Sequence, residues 1–277
     1  MHNARASYGW LGRIAMMATL ALGPSAHAGD LLAASDGRPE LVIFDSDDPG
    51  KTMTTVPLTG LASGEVVLGL DTRPLNGELY LLGSTSRVYV VNEASGTATP
   101  LGPAPFSPVI NGRAIGFDFN PTVDRIRLVT DVDQNMRLIP AGIAGEGTVA
   151  GVDTNLNYLP DDAGFGFDPR VGAVAYDNND NDPNTGTTLY DLDTERDVLL
   201  KQVTPNAGTL MTIGALGDDF TDAAGFDVAP NGHAWAVLQR GPRKPSRLYS
   251  IDLVSGVATL TSRIKGGRTL TSLAVLF

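Results

Sequence analysis

The chain has 277 residues, of which 20 are basic and 31 acidic, for a formal charge of −11, and it contains no cysteine. Disulfides, thiolate nucleophiles and thiolate metal sites are thereby excluded, and the acidity argues against a nucleic-acid partner, whose phosphates it would repel. A chain of this size can be held together by core burial alone.

Arg5 and Arg13 make a positive leader, Ile14 to Leu22 is apolar, and Ala26-His27-Ala28 supplies a small-x-small cleavage site. This pattern predicts a cleaved secretory signal over residues 1–28 and export through the general secretory route, to the periplasm or beyond. The apolar run is far below the roughly 20 residues a membrane span requires, so none is expected in the mature chain. Cleavage removes two arginines, leaving 18 basic and 31 acidic groups (a charge of −13) in one domain expected over 29–277. His233 is then the sole histidine, which excludes multi-histidine zinc sites and catalytic pairs needing a second histidine. It follows Asn231-Gly232 at a turn signal and reads as a hydrated strand-edge residue.

The segments DLLAASD, ELVIFDSD and KTMTTVPL (30–58) predict three strands with no partner ahead of them. Asp45 to Thr52 ends like a phosphate-binding loop, but Asp45 stands where the first glycine is needed and a strand follows where a helix is required. A repeat begins next. VVLGLDTRPLNGELYLLG (66–83) is matched by RAIGFDFNPTVDRIRLVT (113–130) and DAAGFDVAPNGHAWAVLQ (222–239), with a weaker copy, VGAVAYDNN, from Val171. Aligning Gly69, Gly116, Ala173 and Gly225 gives spacings of 47, 57 and 52 residues, and another 47 reaches Ser272 in the C-terminal TLTSLAVLF. That last segment is a repeat's first strand with nothing after it, and the missing remainder stands at the N-terminus. A period near 50 residues, with four short strands per repeat, predicts an all-β fold: a β-propeller of five four-stranded blades, the last strand completing the N-terminal blade. A solenoid or sandwich fits less well, because complementary ends favour a closed ring over capped ends. No sustained helical period follows residue 28.

GFDFNPTVDRIRLVTDVDQNMRLIP (116–140) resembles a bacterial family of exported proteins catalogued only as a domain of unknown function. LGLDTRPLNGELYLLGSTSRVYVVNEASGTATPLG (68–102), TTLYDLDTERDVLLKQVTPNAGTLMTIGALG (187–217) and AGFDV (224–228) extend the resemblance over nearly all of the mature chain. The resemblance implies a propeller and brings no catalytic residues with it.

Three groups of acids are candidate functional residues. Asp71, Asp118 and Asp227 each follow a strand-a glycine by two residues, so strand alternation points them toward the propeller axis. There they would hold a cation, act as acid and base, or accept backbone N–H bonds that lock adjacent blades; their recurrence in three repeats favours the structural role. Asp180, Asp182, Asn184 and Asp191 have the spacing of calcium ligands at positions 1, 3, 5 and 12 of an EF-hand loop. Thr185 replaces the required glycine, however, and the flanks read as strands, which leaves a looser calcium loop on an insertion between two strands. The third group lies on the opposite face. The loop 151–170 carries Asp153, Asp161, Asp162 and Asp168 beside Tyr158, Phe165 and Phe167, and the loop 215–222 adds Asp218, Asp219 and Asp222. Asp131 and Asp133 are expected nearby. Carboxylates with aromatics suit sugar hydroxyls, cationic groups or calcium.

Gly164-Phe-Gly166 lacks the third glycine and the βαβ setting of a dinucleotide site, and there is no G-x-S-x-G elbow. The reading that follows is an exported, monomeric propeller that binds a glycan, peptide or protein through the 151–170 and 215–222 face. The alternatives are a carboxylate-based hydrolase of a glycan or lactone, calcium-assisted or not, and a structural envelope component.

Overall fold

The computed structural model describes Met1 and residues 29–277. The predicted secretory signal lies, Met1 apart, outside the described residues. Five antiparallel sheets surround one axis. Blade 1 is built from strands Ser272–Leu276, Leu31–Ser35, Glu40–Asp45 and Thr54–Pro57, ordered from the axis outward. Blade 2 holds Val67–Thr72, Leu79–Gly83, Arg87–Asn92 and Thr97–Pro100; blade 3 holds Ile115–Asn120, Arg125–Thr130, Asn135–Leu138 and Val149–Val152. Blade 4 holds Val171–Tyr176, Leu189–Asp193, Val198–Thr204 and Thr209–Ala215, and blade 5 holds Ala224–Val228, Ala234–Leu238, Arg247–Ile251 and Ala258–Arg263. The only helix among the described residues is the 3-10 turn Pro205–Ala207.

Burial explains the strand sequences. Inner strands are covered by neighbouring blades on both faces, so LYLLG at 79–83 is buried throughout and lacks alternation. Outer strands such as TTVP at 54–57 are mostly exposed and read as threonine-rich. The ring closes where the C-terminal strand pairs with the N-terminal one, in register from Leu31↔Leu276 to Ser35↔Ser272. This pairing satisfies two strand edges that would otherwise lie open. One expected loop is partly ordered as strand: Asn157–Tyr158 pairs in parallel with Thr209 and Leu210, adding a fifth strand to the outside of blade 4.

Four of the five junctions between blades are filled by apolar side chains from both partners. Phe117, Phe119 and Leu128 of blade 3, for example, meet Tyr80, Leu82 and Val88 of blade 2. The junction of blades 3 and 4 differs. Its apolar cluster comes almost wholly from blade 4 and the preceding loop (Leu156, Tyr158, Val171, Leu189, Leu200), with Val129 the single contribution from blade 3.

Candidate functional site: the axial carboxylates and a polar blade junction

The glycine of each G-x-D repeat lets inner strands approach one another. A Cβ on Gly116 would lie 2.7 Å from the Val174 side chain, and one on Gly225 would lie 2.4 Å from the Ser272 backbone. Two residues further on, Asp71, Asp118 and Asp227 converge at the axis, fully buried, each offering an oxygen within 4.8 Å of the others. No other such group of three acidic or histidine residues occurs among the described residues.

The hydrogen bonds of these carboxylates follow the repeat. Asp71 accepts from the N–H of Phe119 (2.6 Å) on the next inner strand, Asp118 from Tyr176 (2.8 Å), and Asp227 from Val275 (2.6 Å). Blades 4 and 1 carry Ala175 and Ala274 at this position, so the strands after them, in blades 5 and 2, receive no carboxylate from upstream. In those two blades the N–H turns to the strand's own acid: Val228 donates to Asp227 (2.6 Å) and Thr72 to Asp71 (2.7 Å). Three carboxylates thus satisfy five equivalent backbone donors. Burial first, and mutual repulsion second, raises Asp71 and Asp118 well above the usual carboxylate range; burial pushes Asp227 up to about 7, opposed by its two backbone bonds. The axial cavity beside them is only about 10 Å³, room for about one water and none for an organic substrate.

The calcium-like set is not assembled. Asp191 lies fully buried within its strand, both carboxylate oxygens without a hydrogen-bond partner among the described residues, and burial pushes its carboxyl up to about 8. Asp180, Asp182 and Asn184 stay at the exposed loop tip, where Asp180 accepts from the N–H of Asp182 and the hydroxyl of Thr185. Asn184 caps Asp182 through its backbone and side-chain amides.

The acids of the opposite face are divided among separate tasks. Asp162 accepts from the N–H groups of Gly164 (2.7 Å) and Thr212 (2.6 Å), which pins the 151–170 loop to blade 4. The Tyr158 hydroxyl is buried and donates to Asp193 (2.5 Å). Asp168 faces Asp133, whose carboxyl burial and this neighbour push up to about 7. Asp131 accepts from the N–H of Arg113 (2.8 Å). Asp218 pairs with Arg240 (2.6 Å), Asp222 accepts from Thr194 (2.9 Å), and Asp161 and Asp219 are exposed. Phe165 and Phe167 are exposed too, the second under the Arg196 guanidinium at 4.3 Å. These residues border different cavities, Asp161 and Asp162 one of about 210 Å³, Asp218 and Asp219 another of about 410 Å³. His233 is exposed at its turn, 3.4 Å from Asp30.

Asp153 leads elsewhere, to residues the sequence reading passed over. Register places Asp118, Arg127, Arg137 and Gly151 in one row across blade 3, so their side chains share a face. Two guanidinium groups directly opposite one another repel unless a carboxylate bridges them, and Asp153 does so. It accepts from Nη1 of buried Arg127 (2.7 Å) and, through both oxygens, from Nε and Nη2 of Arg137 (2.9 Å each). Arg127 also reaches Asn135 (2.6 Å) in its own blade and Asn206 (2.8 Å) in blade 4. Charge along this row replaces the apolar filling of the other junctions, and a pocket of about 500 Å³ opens beside it. Asn120, Val123 and Arg125 from a blade 3 turn form one wall, Thr204, Pro205 and Asn206 from a blade 4 turn the other. Arg127, Arg137 and Tyr176 complete the lining. The missed signal was RIRLVTDVDQNMR (125–137), three arginines within thirteen residues of an acidic chain.

Ring closure and five sheets around one axis, four of them four-stranded and that of blade 4 with a short fifth strand, define a five-bladed β-propeller. Residues 40–274 match the family described as a domain of unknown function, DUF4394, and the chain belongs to that family. No curated protein matches it. Among solved structures it is similar to an auxiliary nutrient binding protein from Bacteroides thetaiotaomicron (14% identity, 76% of this chain and 54% of that one, TM-score 0.46). It is also similar to a catalytically inactive virginiamycin B lyase from Staphylococcus aureus with quinupristin (12%, 90% and 75%, TM-score 0.44). A third likeness is to a nidogen/laminin complex (13%, 90% and 99%, TM-score 0.49). The chain spans about half the length of the nutrient binding chain. These likenesses are too distant to transfer a ligand or a reaction. Among the described residues, no helix is long and apolar enough to cross a membrane.

Proposed function

We propose that the mature chain, beginning at Gly29, is an exported propeller that binds a small ligand non-covalently in the pocket between blades 3 and 4. The observation that carries this reading is the contrast between junctions: four are filled by apolar side chains from both blades, and the fifth keeps an open pocket of about 500 Å³ with three arginines in its lining. That volume falls within the range of small-molecule sites, and the lining combines an apolar wall (Val123, Pro205) with side chains able to orient a polar ligand. Export is supported by the leader over residues 1–28. The hydrolase alternative required two acids converging in an open pocket. Asp71, Asp118 and Asp227 converge where no substrate fits, and Asp162, Asp168 and Asp218 are held by different partners. The test is a thermal-shift screen of sugars, amino acids and short peptides against the purified mature chain and its Val123→Trp variant, which blocks the pocket mouth. A ligand that stabilises both proteins equally would place binding elsewhere and sink this assignment.

A further inference from the structure

The charges around the junction pocket do not balance. Its lining includes three arginines and no acid, in a mature chain carrying 31 acidic and 18 basic residues. Asp153, behind the lining, supplies one negative charge to Arg127 and Arg137. Asp124, next to Arg125, is taken by Arg73, whose guanidinium it holds through both oxygens (2.8 and 2.5 Å). Arg125 itself donates only Nη1, to the Asp124 carbonyl oxygen (2.7 Å), so its Nε and Nη2 have no partner among the described residues. Nε and Nη2 of Arg137 are both spent on Asp153, and its Nη1 has no partner among the described residues. Three guanidinium groups have one hydrogen-bonded carboxylate, Asp153, with buried Asp191 also near Arg127, so the excess of positive charge falls on the outer pair, Arg125 and Arg137.

The site is also built rather than incidental. Arg127 is 3% exposed and fixed by Asn135, Asp153 and Asn206, which come from three separate chain segments. Gly151 faces Arg137 in the strand pair, and a Cβ there would lie 2.4 Å from Nη2 and 3.0 Å from Cζ. The missing side chain is what lets the Arg137 guanidinium lie across the outer strand against Asp153. Elsewhere arginines at these positions would cost stability through mutual repulsion; here they are oriented toward a shared space.

Resting on the reading of this pocket as the binding site, we infer that it takes a hydroxylated small molecule bearing a carboxylate, such as a sugar acid, with the free donors of Arg125 and Arg137 receiving the carboxylate. The fork of Nε and Nη2 on Arg125 matches a planar carboxylate with two parallel bonds, Nη1 of Arg137 adds a further donor, and the side chains of Asn120, Thr204 and Asn206 offer partners for hydroxyls. The open volume suits a mono- or disaccharide.

Calorimetry with galacturonate, galactose and inorganic phosphate as probes tests the inference on the mature chain. Galacturonate should bind, and more weakly as salt is raised from 20 to 200 mM, while galactose should not. Arg137→Gln and Arg125→Gln should each weaken galacturonate about tenfold or more. Gly151→Ala, which keeps every charge but displaces the Arg137 head, should weaken it too, with melting temperatures showing that each variant is folded. Galactose binding as tightly as galacturonate, with loss in Val123→Trp, would overturn the carboxylate inference and leave the pocket as the site. Tight phosphate binding that excludes galacturonate would assign the arginines to a phosphorylated ligand and overturn it as well. Galacturonate binding untouched by all three variants, or none at millimolar concentration, would also refute it.

Discussion

Removing the axial carboxylates one at a time should cost unequal amounts, in an order set by which blades carry alanine. Asp71→Ala orphans two buried N–H groups, those of Thr72 and Phe119, and Asp227→Ala orphans those of Val228 and Val275. Asp118→Ala orphans one, that of Tyr176, because Phe119 is already served by Asp71. A buried donor left without a partner costs about 1–3 kcal/mol. The first two variants should therefore lose about 2–6 kcal/mol and the third about 1–3 kcal/mol. Substitution also relieves repulsion, on Asp71 and Asp118 when Asp227 is lost and on Asp118 when Asp71 is lost, which narrows the gap between these two variants and Asp118→Ala. For a chain of this size 1 kcal/mol corresponds to about 2–4 °C, so Asp118→Ala should melt several degrees above the other two. Urea unfolding followed by circular dichroism, at pH 5 and pH 7, measures the differences. Equal costs for all three, or Asp118→Ala as the worst, would refute the donor accounting.

A second expectation concerns pH. The Asp191 carboxyl, pushed up to about 8 by burial against about 3.9 when unfolded, binds its proton more tightly in the native state. Its contribution to stability is therefore full below about pH 4 and declines toward pH 8, by up to about 1.4 kcal/mol per unit. Asp191→Asn should remove this slope and gain on the wild type in urea midpoints measured from pH 5 to 8; a constant difference would contradict the buried acid. Deleting residues 272–277 should abolish cooperative unfolding, since it strips the inner strand of blade 1 and the Val275 partner of Asp227. By contrast, a circular permutant joining 277 to 29 and opened at Asp182-Pro183 should fold, because Leu31 and Leu276 are already paired. Asp180→Ala, at an exposed tip, should change stability by less than about 0.5 kcal/mol with or without calcium. A calcium-dependent rise in melting temperature that this variant loses would show that the loop binds the ion.

Much of this architecture was legible because a propeller repeats locally. The glycine and aspartate of LGLD, IGFD and AGFD mark each inner strand, and the unpaired strands at the two termini announced the closure. The sequence also marked Ala175 and Ala274 as exceptions, though not that their absent carboxylates redirect the N–H groups of Val228 and Thr72. Acid-rich loops drew attention because Asp and Asn are frequent in turns, yet Asp162 and Asp153 proved to be fastened within the structure. Arginine content in 125–137 was visible, but strand alternation alone does not say which face of a blade meets which neighbour.

Strand pattern, blade number and the seam between the termini can be read without coordinates, because they follow from a period near 50 residues and from which segments lack a partner. Where a pocket opens depends instead on how the blades meet. Arg127 and Asn206 are 79 residues apart and belong to different blades, so no local pattern could report that they meet. Nor could it report that blade 3 contributes charge rather than apolar bulk to that junction, or that Asp191 is buried while Asp180 is exposed. Whether a carboxylate binds an ion, locks a backbone or merely meets solvent depends on burial and on partners supplied by the neighbouring blade.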